Sequence, residues 1–214
     1  MGRDKVLSDA MQLVQAAYTI IDTVGFKYFS TRKLAKALGI SHMTVYNYMN
    51  RDDLLNGIIV MGFSELETRY LPRVETCKAS ANCCKGILCI AQELLAFAND
   101  HPNLYHFMFH ARLNLSDDYP NVLSLYKSAT DRVLASMPAE NRDAVRADAY
   151  LFFVLTNGLI MGYLGRRHST SYQQCENNIE KGFRLLMGHF AEETKSAATQ
   201  AARASKNTSP PRPS

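Results

Sequence analysis

Six residues in a row of seven, His42, Met43, Thr44, Tyr46, Asn47 and Tyr48, gather unlike functional groups on one short segment. Together they offer an imidazole, a thioether, a hydroxyl, a carboxamide and two phenols. No carboxylate pair, nucleophile–base couple or phosphate loop accompanies them, so their chemistry is recognition rather than bond breaking. Hydroxyl and amide groups can read base edges by hydrogen bonding, and a methionine can meet a thymine methyl. Basic residues stand on either side, at Arg32, Lys33, Lys36 and Arg51. Arg32 can pair with guanine through two parallel N–H groups, worth about 1–3 kcal/mol of discrimination. Its plain alternative is a solvated helix charge paired with an acid. Thr31, Lys33, Tyr46, Tyr48 and Arg51 are assigned to phosphates, which fix register and carry salt-dependent affinity. Ser41, His42, Met43, Thr44 and Asn47 face the groove as base-contact candidates or their cap, and Tyr48 could equally pack inward.

Two short helices joined by a turn must hold these groups in place. Thr31 supplies an oxygen where the first would begin, and Leu34 and Leu38 sit four apart with Ala35 and Ala37 beside them. Gly39 falls where a left-handed residue ends a helix, Ile40 anchors the turn, and Ser41 can cap the second helix. Val45 and Met49 are its packing residues, too little apolar surface for a helix whose role is packing alone. The pattern is a helix-turn-helix, which sets such a segment in the DNA major groove.

Ala16-Ala17, Gly25, Thr31, Leu34-Ala35, Leu38-Gly39-Ile40-Ser41, Thr44-Val45-Tyr46 and Leu54-Leu55 resemble the TetR (tetracycline-repressor-like) regulators in type and spacing. The likeness covers residues 5–55; beyond residue 60 only a pattern of helices is shared. Two departures stand out. The family usually has His or Trp-His and then Phe after the tyrosine, where this chain has Asn47, Tyr48 and Met49. It also usually has a lysine at the next helix start, where Asp52 stands beside Arg51, so Arg51 would supply that phosphate contact. The resemblance implies a homodimeric transcriptional regulator, a repressor that binds a near-palindromic double-stranded operator and leaves it on binding a small-molecule effector. A DNA-binding architectural or protein-partner module without a ligand is the alternative.

Charge does not make the whole molecule basic. Of 24 Lys and Arg, Lys195, Arg203, Lys206 and Arg212 follow Thr194 in a stretch without acids, leaving 24 − 4 = 20 basic against 20 acidic residues. DNA binding must rest on the local patch. No charged-then-apolar leader opens the sequence, and five cysteines without a Cys-x-x-Cys pair suit a reducing cytoplasm. The longest apolar run, Ala149 to Gly165, is broken by Thr156, Asn157 and glycines and reads as a buried helix, so no membrane partner is expected.

The remaining pattern is all-α. Leu7, Met11, Val14, Tyr18 and Ile21 mark an amphipathic first helix that braces the two short ones. A linking helix starts near Asp52 or Asp53 and runs toward a break at Pro72. Further helices are expected over 81–99, 102–112, 120–137, 141–167 and 172–193, with a break at Pro138. The domains expected are a helix-turn-helix domain over 1–50, a ligand-binding and dimerisation domain over 51–194, and a disordered basic tail over 195–214.

Helical periodicity puts Leu151, Leu155, Gly158, Gly162 and Gly165 on one face of a helix apolar all round. With a stripe at Ile179, Phe183, Leu186 and Phe190, it would build a four-helix dimer interface, the arrangement known in the resembling family. Tyr105, Phe109, Phe153, Thr156, Asn157 and Met161 are candidates to line a ligand pocket. For Thr156 and Asn157, satisfied core polar groups or dimer contacts are an equal reading. His101, His106 and His110 lack a third ligand and the Glu of a His-Glu-x-x-His motif, so no metal and no cofactor are expected. Cys77 and Cys84, with Cys83 and Cys89 nearby, read as buried small hydrophobes, with metal or electrophile sensing the alternative. Catalytic residues are expected to be absent.

Overall fold

A computed structural model of the chain describes residues 9–78, 84–110, 122–135, 142–165 and 170–207. Among them the regular structure is helical throughout: α1 (Ala10–Val24), α2 (Thr31–Leu38), α3 (His42–Tyr48), α4 (Arg51–Lys78), α5 (Lys85–Asp100), α6 (Pro102–His110), α7 (Val122–Leu134), α8 (Arg142–Leu164) and α9 (Tyr172–Asn207). A 3₁₀ turn, Phe26–Tyr28, links α1 to α2. The all-α class is the one the sequence implies. Leu7, Cys83, the expected bounds at 81, 112, 120, 137, 141 and 167, the break at Pro138, and the tail beyond Asn207 lie outside the described residues.

The chain forms two compact units, Met1–Thr68 with Ala96–Lys127, and Arg69–Leu95 with Ser128–Ser214. In the first, Asp9 caps α1 by accepting from the Gln12 N–H at 3.1 Å. Leu13, Val14, Ala17, Tyr18 and Ile21 form its buried face. Met11, which spacing placed on that face, is 58% exposed. The stripe begins at Leu13 instead, because α1 turns that side toward the rest of its unit. Gly57 lets α4 come close there: a Cβ on it would lie 2.9 Å from the stiff, buried Val14 side chain. Gly25 closes α1 at φ +85°, its N–H donating to the Ile21 carbonyl. Phe26 then packs on Phe107 with ring centroids 4.8 Å apart.

A polar network absent from the sequence reading ties α1 to α4 and to the α5–α6 junction. The Tyr18 hydroxyl donates to the Glu65 carboxylate. His101 places Nδ1 2.9 Å from Asp22 and Nε2 3.3 Å from Glu65, and Asn103 donates to the Asp22 carbonyl at 2.9 Å. Both ring nitrogens of His101 thus face carboxylates of its own unit.

Pro72, expected to end a helix, sits inside α4. An interior proline costs about 3 kcal/mol through a lost hydrogen bond and a ring clash. Tyr70 and Val74 on either side are buried, and that burial offsets part of the cost.

In the second unit α8 lies along α9. Val145, Ala149, Phe152, Phe153, Thr156 and Ile160 are the buried residues of α8. They meet a buried row from α9 that includes Cys175, Ile179, Phe183, Met187 and Phe190, with Phe152 edge-on to Phe183 at 5.6 Å. Ile179, Phe183 and Phe190 are therefore core of their own chain, which corrects their assignment to a dimer interface. Leu186 of that stripe is half-buried. The close approach comes from Gly182, where a Cβ would lie 2.5 Å from Leu155 Cδ2.

Nor is α8 buried all round. Tyr150, Leu151, Val154 and Leu155 are 46, 53, 51 and 40% exposed. Gly158 and Gly162 face open space. By length and composition α8 is also the one described helix that could cross a membrane, but its inner face is spent on α9. Finally, α9 continues past Thr194 to Asn207, through the stretch expected to be disordered. Alanine-rich sequence there (Ala197-Ala198, Ala201-Ala202 and Ala204) has high intrinsic helix propensity, which favours continuing a helix already begun.

Candidate nucleic-acid interface

The α2–turn–α3 segment is built by its caps. Ser30, not Thr31, caps α2: its backbone is extended and its Oγ accepts from the Lys33 N–H at 3.2 Å. Thr31 is the first helical residue, which frees its hydroxyl for another task. α2 buries Leu34 and Ala35. Gly39 follows in the left-handed region at φ +70°, ψ +29°, its N–H directed to the Ala35 and Lys36 carbonyls. The buried Ile40 donates to the Ala35 carbonyl at 3.0 Å and completes the turn.

A Cβ at position 39 meets no atom within 4 Å, so backbone strain alone decides a substitution there. Gly39→Ala is expected to lower unfolding free energy by about 1–2 kcal/mol, the left-handed penalty for an L-residue. Gly39→Asn should lose less, because asparagine tolerates that region. Urea unfolding of the three proteins measures it, and equal midpoints would contradict the account.

Ser41 caps α3, accepting from the Thr44 N–H at 3.0 Å and sitting 2.7 Å from the Thr44 hydroxyl. Val45 is the one fully buried residue of α3 and pins it to the unit. Outward from that pin the structure exposes Met43 by 68%, Tyr46 by 43% and Tyr48 by 37%, with Asn47 and Ser41 exposed beside them. Of the three, Tyr48 is the least exposed.

His42 and Thr44 are half-buried, and His42 is engaged. Its Nε2 lies 2.9 Å from the Thr31 hydroxyl, which is also 3.4 Å from the Tyr46 hydroxyl, and the His42 and Tyr46 rings meet edge to face at 5.1 Å. Thr31, His42 and Tyr46 form a brace between the N-terminal ends of α2 and α3. A threonine hydroxyl has one proton to donate. Spent on His42, that proton would not be available to a phosphate; accepted from His42 or Tyr46 instead, the contact would leave it free.

The basic groups divide by how much they are already used. Arg32 is exposed and makes no ion pair among the described residues. Lys33 donates to the Tyr28 carbonyl at 2.7 Å and lies 5.9 Å from the Tyr28 ring, leaving two of its three protons for other acceptors. Lys27 sits 5.8 Å from the same ring and adds a cation that sequence reading passed over. Arg51 opens α4 exposed, 4.0 Å from Asp52, a contact too solvated to hold it. Asn50 is the cap of α4: its Oδ1 accepts from the Asp53 N–H at 2.8 Å and its Nδ2 donates to the Asp53 carboxylate at 2.6 Å. Asp53 is thereby turned toward Asn50.

The residues suggested for a ligand pocket fall in both units. Tyr105 is buried and stacks on half-buried Phe109 at 4.4 Å in the first. Phe153 and Thr156 are buried, and Asn157 and Met161 half-buried, on α8 in the second. The Thr156 hydroxyl has no hydrogen-bond partner among the described residues, and neither has that of Thr130 in the same unit.

Residues 13–54, from within α1 to the start of α4, match the helix-turn-helix domain family. No curated protein matches the chain in sequence. In fold it is similar to a TetR-family transcriptional regulator from Streptomyces coelicolor, at 20% identity and TM-score 0.65 over 95% of this chain and 90% of that one. A TetR transcriptional regulator from Rhodococcus sp. RHA1 is similar at 16% identity and TM-score 0.59, over 83% and 94%. A putative transcriptional regulator from Streptomyces coelicolor A3(2) shares 16% identity at TM-score 0.55, over 88% and 99%.

Proposed function

We propose that this chain, a helix-turn-helix protein with the fold of TetR regulators, works as a homodimeric transcriptional repressor of a near-palindromic operator. The observation that carries the reading is α3: one buried residue, Val45, and an outward edge of Met43, Tyr46, Asn47 and Tyr48. A helix held by a single anchor with its polar edge in solvent is shaped to enter a major groove. Asn47 and Met43 would read bases from α3 and Arg32 from α2. Lys33, Tyr48 and Arg51 would hold phosphates, and Ser41 and Thr44 would fix the entry end of α3. Thr31, His42 and Tyr46 would brace that end against α2. Two such heads, one from each protomer, would meet half-sites about 34–36 Å apart.

The residues beyond about 50 would carry dimer contacts and effector binding. Leu151, Leu155, Gly158 and Gly162 give α8 an exposed apolar and small-residue face fitted to a second copy of the same helix. Phe153, Thr156, Asn157 and Met161 would meet a small molecule, and the unpaired buried hydroxyl of Thr156 supports a polar group on it. Such an effector releases DNA only as far as it prefers the dimer state whose heads are misplaced for the operator.

Footprinting the purified protein on its own upstream region, followed by band-shift titration at several salt concentrations, tests this. A protected, two-fold symmetric site is expected. Lys33→Ala should lower affinity for specific and random duplexes alike and reduce the log–log salt slope by about one. Weak binding without a preferred site would refute the reading.

A further inference from the structure

Cys77, in the last turn of α4, and Cys89, in α5, were not paired by sequence spacing, which set Cys77 with Cys84. In the fold their sulfurs lie 3.4 Å apart. Cys77 is half-exposed, contrary to its reading as a buried small hydrophobe, whereas Cys89 is 9% exposed behind it. Arg73, one turn before Cys77, carries its guanidinium within electrostatic reach of both sulfurs while paired with Glu93. Burial, then the hydrogen bond with Cys77, pushes the Cys89 thiol up to about 11, so it keeps its proton at neutral pH. The pair thus consists of a reachable sulfur backed by a sheltered one, with a cation alongside, the setting in which a thiol is oxidised and then resolved.

We infer that Cys77 and Cys89 form a reversible oxidation site, a dithiol that hydroperoxides close to a disulfide joining α4 to α5. Cys77, as thiolate, attacks the peroxide oxygen. The O–O bond breaks, an S–O bond forms, and two electrons pass from sulfur to the departing oxygen, which leaves protonated. Cys77 is then a sulfenic acid. The Cys89 sulfur attacks the Cys77 sulfur, an S–S bond replaces the S–O bond, and the expelled hydroxide takes the Cys89 proton as water. In sum two thiols and one hydroperoxide give a disulfide, an alcohol (or water, from hydrogen peroxide) and water. The sulfurs need only close from 3.4 Å to about 2.05 Å. A dithiol reductant reverses the step by exchange.

Cys84 and Cys175 are fully buried and serve as internal controls, the Cys175 thiol being pushed up to about 11 by burial. The experiment takes the full chain, reduced, adds equimolar hydrogen peroxide, blocks remaining thiols with N-ethylmaleimide, and maps peptides by mass spectrometry. The expected result is a peptide joining Cys77 to Cys89, a loss of two alkylatable thiols, a higher melting temperature, and full return on adding dithiothreitol. Cys89→Ser should stop at a sulfenic acid on Cys77 that dimedone captures, and Cys77→Ser should yield neither product. Circular dichroism of both variants guards against misfolding. Unchanged thiols, a linkage through Cys83, Cys84 or Cys175, or one between two chains would overturn the inference. The readout is covalent, so it stands or falls apart from DNA binding.

Discussion

Arg32→Ala combined with Asn47→Ala is expected to abolish operator preference while leaving the protein folded. Both side chains are exposed, and neither holds another described residue by an ion pair or hydrogen bond. Their removal therefore opens no cavity and orphans no buried group. Arg32 is assigned a bidentate contact to guanine and Asn47 an amide contact to a base edge, which in bidentate form to adenine is likewise worth about 1–3 kcal/mol of discrimination. The two lie on different helices, so their losses add to about 2–6 kcal/mol, a fall in specific affinity of roughly 30-fold at the least. Affinity for random duplex should drop only slightly, through the charge of Arg32. Competitive band shifts of wild type and double variant against operator and scrambled DNA measure the ratio. An unchanged ratio would mean that α2 and α3 do not read the bases.

That experiment rests on residues whose placement was legible in the sequence, for a local reason. Gly39, Ile40 and Ser41 fix the turn through the backbone conformations and hydrogen bonds of near neighbours, so residue type alone announces them. The exposure of Met43 and Asn47 follows from Val45 being the one fully buried residue of α3. Where two neighbours could do one task, spacing did not choose. Ser30 and Thr31 both carry a hydroxyl suited to a cap, and the extended backbone of Ser30 decides between them. Met11 and Leu13 both fit an apolar stripe, and the choice is made by what packs on α1.

The larger differences are tertiary. Pro72 is a local breaker overruled by burial of Tyr70 and Val74. Cys77 and Cys89 are brought together only because α4 and α5 pack, which their spacing does not reveal. Tyr18, Asp22, Glu65 and His101 converge from three places in the chain. An apolar stripe states that something covers it, not what. On α9, Ile179, Phe183 and Phe190 are covered by their own chain, whereas on α8 an equally apolar stripe stays exposed.

That exposed stripe makes the second large effect. Leu151→Glu with Val154→Glu puts two carboxylates on the α8 face while sparing Leu155, whose Cδ2 fills the space over Gly182. In a monomer both positions are already half in solvent, at 53 and 51%. Helicity and melting of the isolated chain should therefore hold. In a two-fold dimer each carboxylate would lie near its symmetry mate, so four buried charges would face one another without partners. Sedimentation should find a monomer for this variant and, if α8 is the subunit contact, a dimer for the unaltered chain. Operator affinity should then fall by about 10²–10⁴, the avidity gained when a second head binds from a tethered partner. A dimer surviving both substitutions would place the subunit contact elsewhere than on α8. A monomer that still bound the full operator with undiminished affinity would refute two-headed recognition itself.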